Sequence, residues 1–380
     1  MTDKKRARDL GIALGGETGP LNAITDVAGV EVGTMELLSS RDPSLATRGI
    51  PVQTGVTAIL PRGRDAQPKP VWAGQFSLNG NGEMTGAHWV RDGGWLCGPI
   101  LITNSHAVGA AHQAATRWMI ETYADIWEHN HLWALPVVGE TYDGVLNDIN
   151  GMHVTEAHAR QAIDAARTGP VAEGNTGGGA GMICYEFKGG TGTSSRRIML
   201  DGQSFTLGAL VQANHGLRPW LTVAGQKVGG QFSEHRIPGM TAERGSIIVV
   251  LATDIPLQSG QLERIARRAS IGIGRGGTPG GNNSGDIFLA FSTANEMDLP
   301  QLSGPWRQMV SLNDELLDPV YLAAVEAVEE AVLNAMLAAE DVAIARPEGG
   351  GTCKAIDPEA LMAALRASDL CPDAPERVAM

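Results

Sequence analysis

Residues 247–251 read Ile-Ile-Val-Val-Leu, five large apolar side chains with no polar alternation. Such a run predicts a strand buried on both faces, as in the middle of a covered sheet. Residues 287–292 (IFLAFS) predict a second buried strand, and shorter apolar pieces at 24–32, 55–61, 99–104, 133–138, 182–187, 205–213 and 220–223 predict more. Apolar residues at helical spacing mark helices at about 108–128, 156–167 and 319–339, with an amphipathic basic helix at 261–270 and a short one at 358–366. Strands come first, then a helix pair, then strands, then helices. Two sheets held between helix layers would bury such uniformly apolar strands on both faces. No linker divides residues 1–380, which reads as one domain.

Glycine punctuates this pattern, with 49 residues in 380 and loops such as 78–86, 174–181, 189–195 and 280–286. Gly245-Ser246 stands at the start of the 247–251 strand, after an unpatterned polar stretch at 231–244. A serine at the tip of a rigid interior strand, preceded by a residue without a side chain, suits a self-processing nucleophile and equally suits a turn. Residues 272–277 fit G-x-G-x-x-G but follow a helix, whereas the dinucleotide motif needs strand, glycines, then helix. A P-loop, H-E-x-x-H, G-x-S-x-G and EF-hand spacing are absent.

Charge narrows the partners. A formal charge of −13, from 42 acidic against 29 basic residues, argues against binding a nucleic-acid backbone. Cys97, Cys184, Cys353 and Cys371 lack zinc spacing and suit a reducing compartment. The basic start leads into a stretch too short and glycine-broken for a signal peptide, and no run approaches a membrane span. The expectation is a cytoplasmic protein without metal or cofactor.

Six polar residues fall at the ends of predicted strands: Glu140, Tyr142, Asn214, Ser246, Ser284 and Asp286. Together with residues 6–11, 22–27, 81–86, 136–142, 211–216, 245–254, 283–286 and 290–295, they occur in a known order. The chain resembles the L-aminopeptidase/D-amidase/D-esterase and β-peptidyl aminopeptidase family of self-cleaving N-terminal-serine hydrolases. The resemblance covers nearly the whole chain except the last few dozen residues. It implies an α+β fold, a four-layer αββα sandwich like that of Ntn hydrolases with different connectivity. It also implies self-cleavage between Gly245 and Ser246 into fragments 1–245 and 246–380, which stay together in an oligomer.

The resemblance assigns roles residue by residue. Ser246 matches the nucleophile, with Ser284 and Asp286 orienting it and relaying its proton. One branch of the family carries Glu at the Asp286 position. Asn214 matches the oxyanion donor, Tyr142 a tyrosine of the aminopeptidase/D-esterase branch, and Glu140 the carboxylate that grips the substrate's free ammonium. The implied activity is release of N-terminal amino acids from peptides, amides and esters through an acyl-enzyme on Ser246. Whether the freed α-amine or the Ser284–Asp286 pair takes the proton stays open. Alternatives are a β-peptidyl aminopeptidase, an Ntn-type acyltransferase, and an unprocessed binding or scaffold protein.

Overall fold

The computed structural model describes residues 4–65 and 67–369; Cys371 lies outside them. The first half runs β1 (Glu31–Leu38), β2 (Gln53–Leu60), β3 (Val71–Ser77), α1 (Ala87–Gly93), β4 (Trp95–Leu96) and β5 (Ile100–Asn104). Helices α2 (Val108–Thr122) and α3 (Ala124–His129), strand β6 (Val137–Thr141) and α4 (Glu156–Asp164) come next. A hairpin of β7 (Ile183–Cys184) and β8 (Phe187–Lys188) leads to β9 (Gly190–Leu200) and β10 (Gln203–Asn214). After a small hairpin, β11 (Thr222–Val223) and β12 (Gln226–Lys227), come β13 (Ser246–Thr253), α5 (Ser259–Arg275), β14 (Ile287–Ser292), α6 (Asp318–Leu337) and α7 (Pro358–Asp369).

Two sheets result, one ordered β1-β2-β5-β6 and one ordered β4-β3-β14-β13-β10-β9. Side-chain alternation along the strands sorts them into layers. Ile248 and Val250 of β13 and Leu289 of β14 meet Ile59, Ile102 and Val137 of the other sheet. Val249, Leu251, Phe288 and Ala290 point the opposite way, onto α5 and α6. Val56, Ala58 and Val138 pack on α2 and α4 behind the four-stranded sheet. The order is therefore helices, sheet, sheet, helices, which explains why β13 lacks polar alternation: both its faces are dry. Each of the Val, Leu, Ile and Phe side chains among them contributes about 1.5–3 kcal/mol on full burial.

Four expectations shift in detail. Residues 24–26 form a 3-10 turn instead of strand, because the Asp26 carboxylate accepts from the Leu21 and Ala23 amides. Strand β6 begins at Val137, after Pro136, which has no N–H to pair, and it extends to include Glu140. Helix α5 continues through the G-x-G-x-x-G segment to Arg275; a Cβ on Gly272 would lie 2.7 Å from Val328, so this glycine lets α5 and α6 touch. Strands β3 and β9 were not expected at all. Among the described residues no helix is long and apolar enough to cross a membrane.

Candidate active site

Ser246 is the first residue of β13 and lies directly opposite Asn214, the last residue of β10. Both are almost completely buried. The antiparallel register thus fixes one hydroxyl against one carboxamide at the end of the six-stranded sheet. Only glycine fits before the serine: a Cβ on Gly245 would sit 1.9 Å from the Asn214 carbonyl oxygen. Ser246 Oγ donates to the Gly245 carbonyl at 2.7 Å, and the Gly285 amide reaches the same oxygen at 3.3 Å.

The partners of Asn214 settle which way its amide points. Oδ1 accepts from the Ile183 amide at 2.8 Å, while Nδ2 donates to the Tyr142 carbonyl at 3.0 Å. An NH2 group has two hydrogens, so one donor remains for a third party. Ile183 belongs to the β7–β8 hairpin, whose turn residues Tyr185 and Glu186 both have positive φ, 51° and 60°. Non-glycine residues adopt that backbone at a cost. Here Glu186 is held by the Arg236 guanidinium, at 2.5 and 2.6 Å, and by the Arg218 amide.

Ser284 and Asp286 arrive beside β13 through the parallel pairing of β14. Ser284 Oγ donates to Asp286 Oδ1 at 2.5 Å. Asn79 completes a reciprocal pair: its Nδ2 donates to Asp286 Oδ2 at 2.9 Å, and its Oδ1 accepts from the Asp286 amide at 2.7 Å. Burial pushes the Asp286 carboxyl up to about 6; Ser284, Asn79 and the Ile247 amide hold it down, and the nearby Glu243 charge raises it further. Among the described residues Ser246 makes no hydrogen bond to Ser284.

Glu140 comes from the other sheet. Its Oε1 accepts from the Glu83 amide at 2.9 Å and its Oε2 from the Ser105 hydroxyl. The Asn81-Gly82 turn brings it close to the Ser284–Asp286 loop: a Cβ on Gly82 would lie 3.1 Å from Gly285 Cα and 3.4 Å from Glu140 Oε1. Glu140 is buried, and among the described residues no Lys, Arg or His pairs with it. A buried carboxylate with only neutral donors suits an incoming cation.

Tyr142, two residues on, is 41% exposed. With Asn214 and Gly245 it borders a solvent-open cleft of about 1000 Å³, whose other walls include Val145, Ile183, Ile237 and Met240. His215 also faces the cleft, but burial lowers its pKa to about 3, so it stays neutral. Among the described residues no group of His, Cys, Asp or Glu is arranged to hold a metal.

The fold therefore gathers Asn214, Gly245 and Tyr142 around one cleft, with Ser246 next to Gly245 and across from Asn214, Ser284 and Asp286 in the loop that enters the adjoining strand, and Glu140 beside that loop. Sequence reasoning passed over Asn79, Ser105 and Ile183. Glu83, in the 78–86 glycine loop, contributes a backbone N–H. These roles run through backbone geometry or single hydrogen bonds, for which one sequence carries no signal.

The double-sheet sandwich that sets a strand-tip serine against an oriented carboxamide is a variant of the Ntn hydrolase fold. Residues 22–348 match the model of peptidase family S58, and the chain belongs to that family. It is a serine aminopeptidase. The β-peptidyl aminopeptidase BapA of Sphingosinicella microcystinivorans is 48% identical over 349 residues, covering 88% of this chain and 86% of the relative. The L-aminopeptidase D-Ala-esterase/amidase of Ochrobactrum anthropi, a variant of the Ntn hydrolase fold, superposes with a TM-score of 0.91 at 56% identity, over 96% of this chain and 99% of its own. A β-aminopeptidase from a Burkholderia species gives 0.85 at 43% identity, over 98% and 100%.

Proposed function

We propose that the chain cuts itself between Gly245 and Ser246, and that Ser246 then removes N-terminal residues from short peptides, amino-acid amides and esters. The observation that carries this reading is the register that sets Ser246 against Asn214 at a glycine-only junction. In the uncut chain Ser246 Oγ attacks the Gly245 carbonyl carbon. The C–N bond breaks, the Ser246 nitrogen takes the proton, and an ester remains. Water hydrolyses that ester to a Gly245 carboxylate and a free Ser246 hydroxyl.

Turnover repeats this chemistry on a substrate. Glu140 holds the substrate's ammonium, Ser246 Oγ attacks the scissile carbonyl, and the unused Asn214 N–H meets the oxyanion. Preorganised donors of this kind lower the barrier by about 3 kcal/mol. The Tyr142 side chain supports the same oxyanion or Ser246 from the cleft wall. The proton passes to the leaving amine through one of two bases. One is the Ser246 α-amine, with an unperturbed pKa of about 7.7–8.0; the other is the Ser284–Asp286 pair, whose carboxyl lies at about 6. Water then clears the acyl-enzyme.

The β-peptidyl reading has its own support in the 48% identical relative, while Tyr142 favours α-aminoacyl and D-ester substrates. A panel of α- and β-aminoacyl p-nitroanilides separates the two. Mass spectrometry of purified protein tests the core of the proposal: fragments 1–245 and 246–380 are expected. An uncut chain that still hydrolyses amides would overturn it. The same spectrum excludes an unprocessed scaffold, and hydroxylamine as acceptor measures acyl transfer.

The working particle is proposed to be a homo-oligomer of the processed pair. Leu302, Trp306, Val310 and Leu316 leave one segment with exposed apolar side chains, Trp306 at 92%, which supports an interface there. Light scattering after size exclusion checks this. The unpaired Cys97, Cys184 and Cys353 fit the reducing cytoplasm expected from sequence.

A further inference from the structure

The cleft beside Asn214 carries an unexpected charge. Its lining residues include one acidic residue, Glu243, and two basic ones, Arg244 and Arg346, in a chain whose net charge is −13. The carboxylate is already engaged, accepting from the Gly216 amide at 2.7 Å and the Gly281 amide at 3.1 Å. Arg244 immediately precedes the Gly245–Ser246 pair, so its place depends on whether that bond is whole. Arg346 does not share this uncertainty: the Ala345 and Arg346 amides both donate to the Val145 carbonyl, at 2.8 and 3.0 Å, and hold it against the cleft wall.

The Arg346 side chain is undersupplied with acceptors. Among the described residues its only charged partner is Asp148, at 3.7 Å, and its guanidinium makes no hydrogen bond. Asp148 is shared with Arg48 at 3.5 Å and His153 at 3.2 Å, so it neutralises Arg346 only in part. A guanidinium presents five donors in a planar fork that matches a carboxylate. The Arg346 side chain is 37% exposed, so its fork is open to an incoming carboxylate.

We infer that Arg346 receives the terminal carboxylate of the departing part of the substrate, which makes short peptides with a free C-terminus, dipeptides first, the preferred substrate class. This rests on the proposed placement of the substrate ammonium at Glu140, which does not line the cleft. A peptide bound that way directs its leaving amino acid into the cleft. The two recognition points then read the two charges of a zwitterionic substrate, and an amide or anilide engages only the first.

The test compares a dipeptide with the same dipeptide amidated at its C-terminus, in wild type, Arg346→Gln and Arg346→Lys. The ratio of their kcat/KM values is the readout. In Arg346→Gln this ratio is expected to fall about tenfold to a hundredfold, through KM, as for one lost charge-assisted pair. Arg346→Lys keeps the charge without the fork, so its ratio lies between the two. An equal ratio in wild type and Arg346→Gln overturns the assignment and leaves the aminopeptidase reading in place. So does a variant that loses both substrates alike, since the effect is then not one of carboxylate recognition. A processed wild-type enzyme that cleaves neither substrate overturns both.

Discussion

Glu140 and the cleft beside Asn214 differ in kind: one is a closed carboxylate site and the other an open, largely apolar trough. Glu140 is buried with an amide and a hydroxyl as its partners, so its charge lacks a counter-ion until something cationic arrives. The trough is open to solvent, with Val145, Ile183, Ile237 and Met240 among the side chains that line it. A desolvated charge discriminates steeply, because a blocked amine leaves it unpaired. An apolar wall discriminates gently, at about 1–3 kcal/mol per methylene. On the proposed reading, strictness about the free amine sits at Glu140, and selection of the leaving group sits in the cleft, steep for a carboxylate at Arg346 and gentle along its aliphatic walls.

Replacing Ser246 with Ala removes what the two sides share and has the largest effect. No fragments are expected on a denaturing gel, and no amide turnover. Glu140→Ala comes next and breaks the comparison on one side only: amide turnover falls about a thousandfold or more, while fragment formation proceeds as in wild type. Unchanged amidase activity in that variant would remove Glu140 from the amine site. Asn214→Ala is expected to lower kcat by about a hundredfold to a thousandfold, with KM little altered, because its free N–H acts in the transition state.

A smaller effect comes from pH. Asp286 is held up at about 6 by burial, so it is ionised above that value and neutral below. If the Ser284–Asp286 pair accepts the proton, kcat/KM falls on the acid side through about 6, and Asp286→Asn abolishes that limb. A limb at about 7.7–8.0 instead assigns the task to the Ser246 α-amine. Smallest of all, Met240→Ala on the trough wall should change the preference among leaving groups by no more than about tenfold. Measuring kcat/KM for three anilides of different bulk checks it.

Much of the layered fold was legible because apolar runs such as residues 247–251 and 287–292 have no other stable home than a doubly covered sheet. Strand β9 was not legible, for the opposite reason. Its sequence, GTGTSSRRIML, reads as a polar glycine loop, yet Thr191, Thr193, Ser194, Ser195 and Arg196 are all buried. Their polar atoms find tertiary partners: Thr193 Oγ1 on the Ala209 carbonyl at 2.7 Å, Ser194 Oγ on the Ala327 carbonyl at 2.6 Å, Arg196 on Glu330 at 2.8 Å. A Cβ on Gly192 would lie 2.0 Å from the Ala331 carbonyl, so the glycine there admits α6 and not flexibility. The site divides in the same way. Ser246 was visible at the head of a strand, whereas Asn79 shares no local pattern with Asp286, from which it is separated by 207 residues.

The order of the six-stranded sheet has one more consequence. Strands β13 and β14 stand in its middle, between β3 and β10, which both precede Gly245 in the chain. Severing the Gly245–Ser246 link frees a backbone end but no edge, since the later piece is zipped along both flanks into the earlier one. Dilution of the folded nicked protein should therefore not separate the two pieces, whereas unfolding releases two chains and its melting temperature rises with concentration. On the proposed cleavage, the strand order alone would hold the two pieces together.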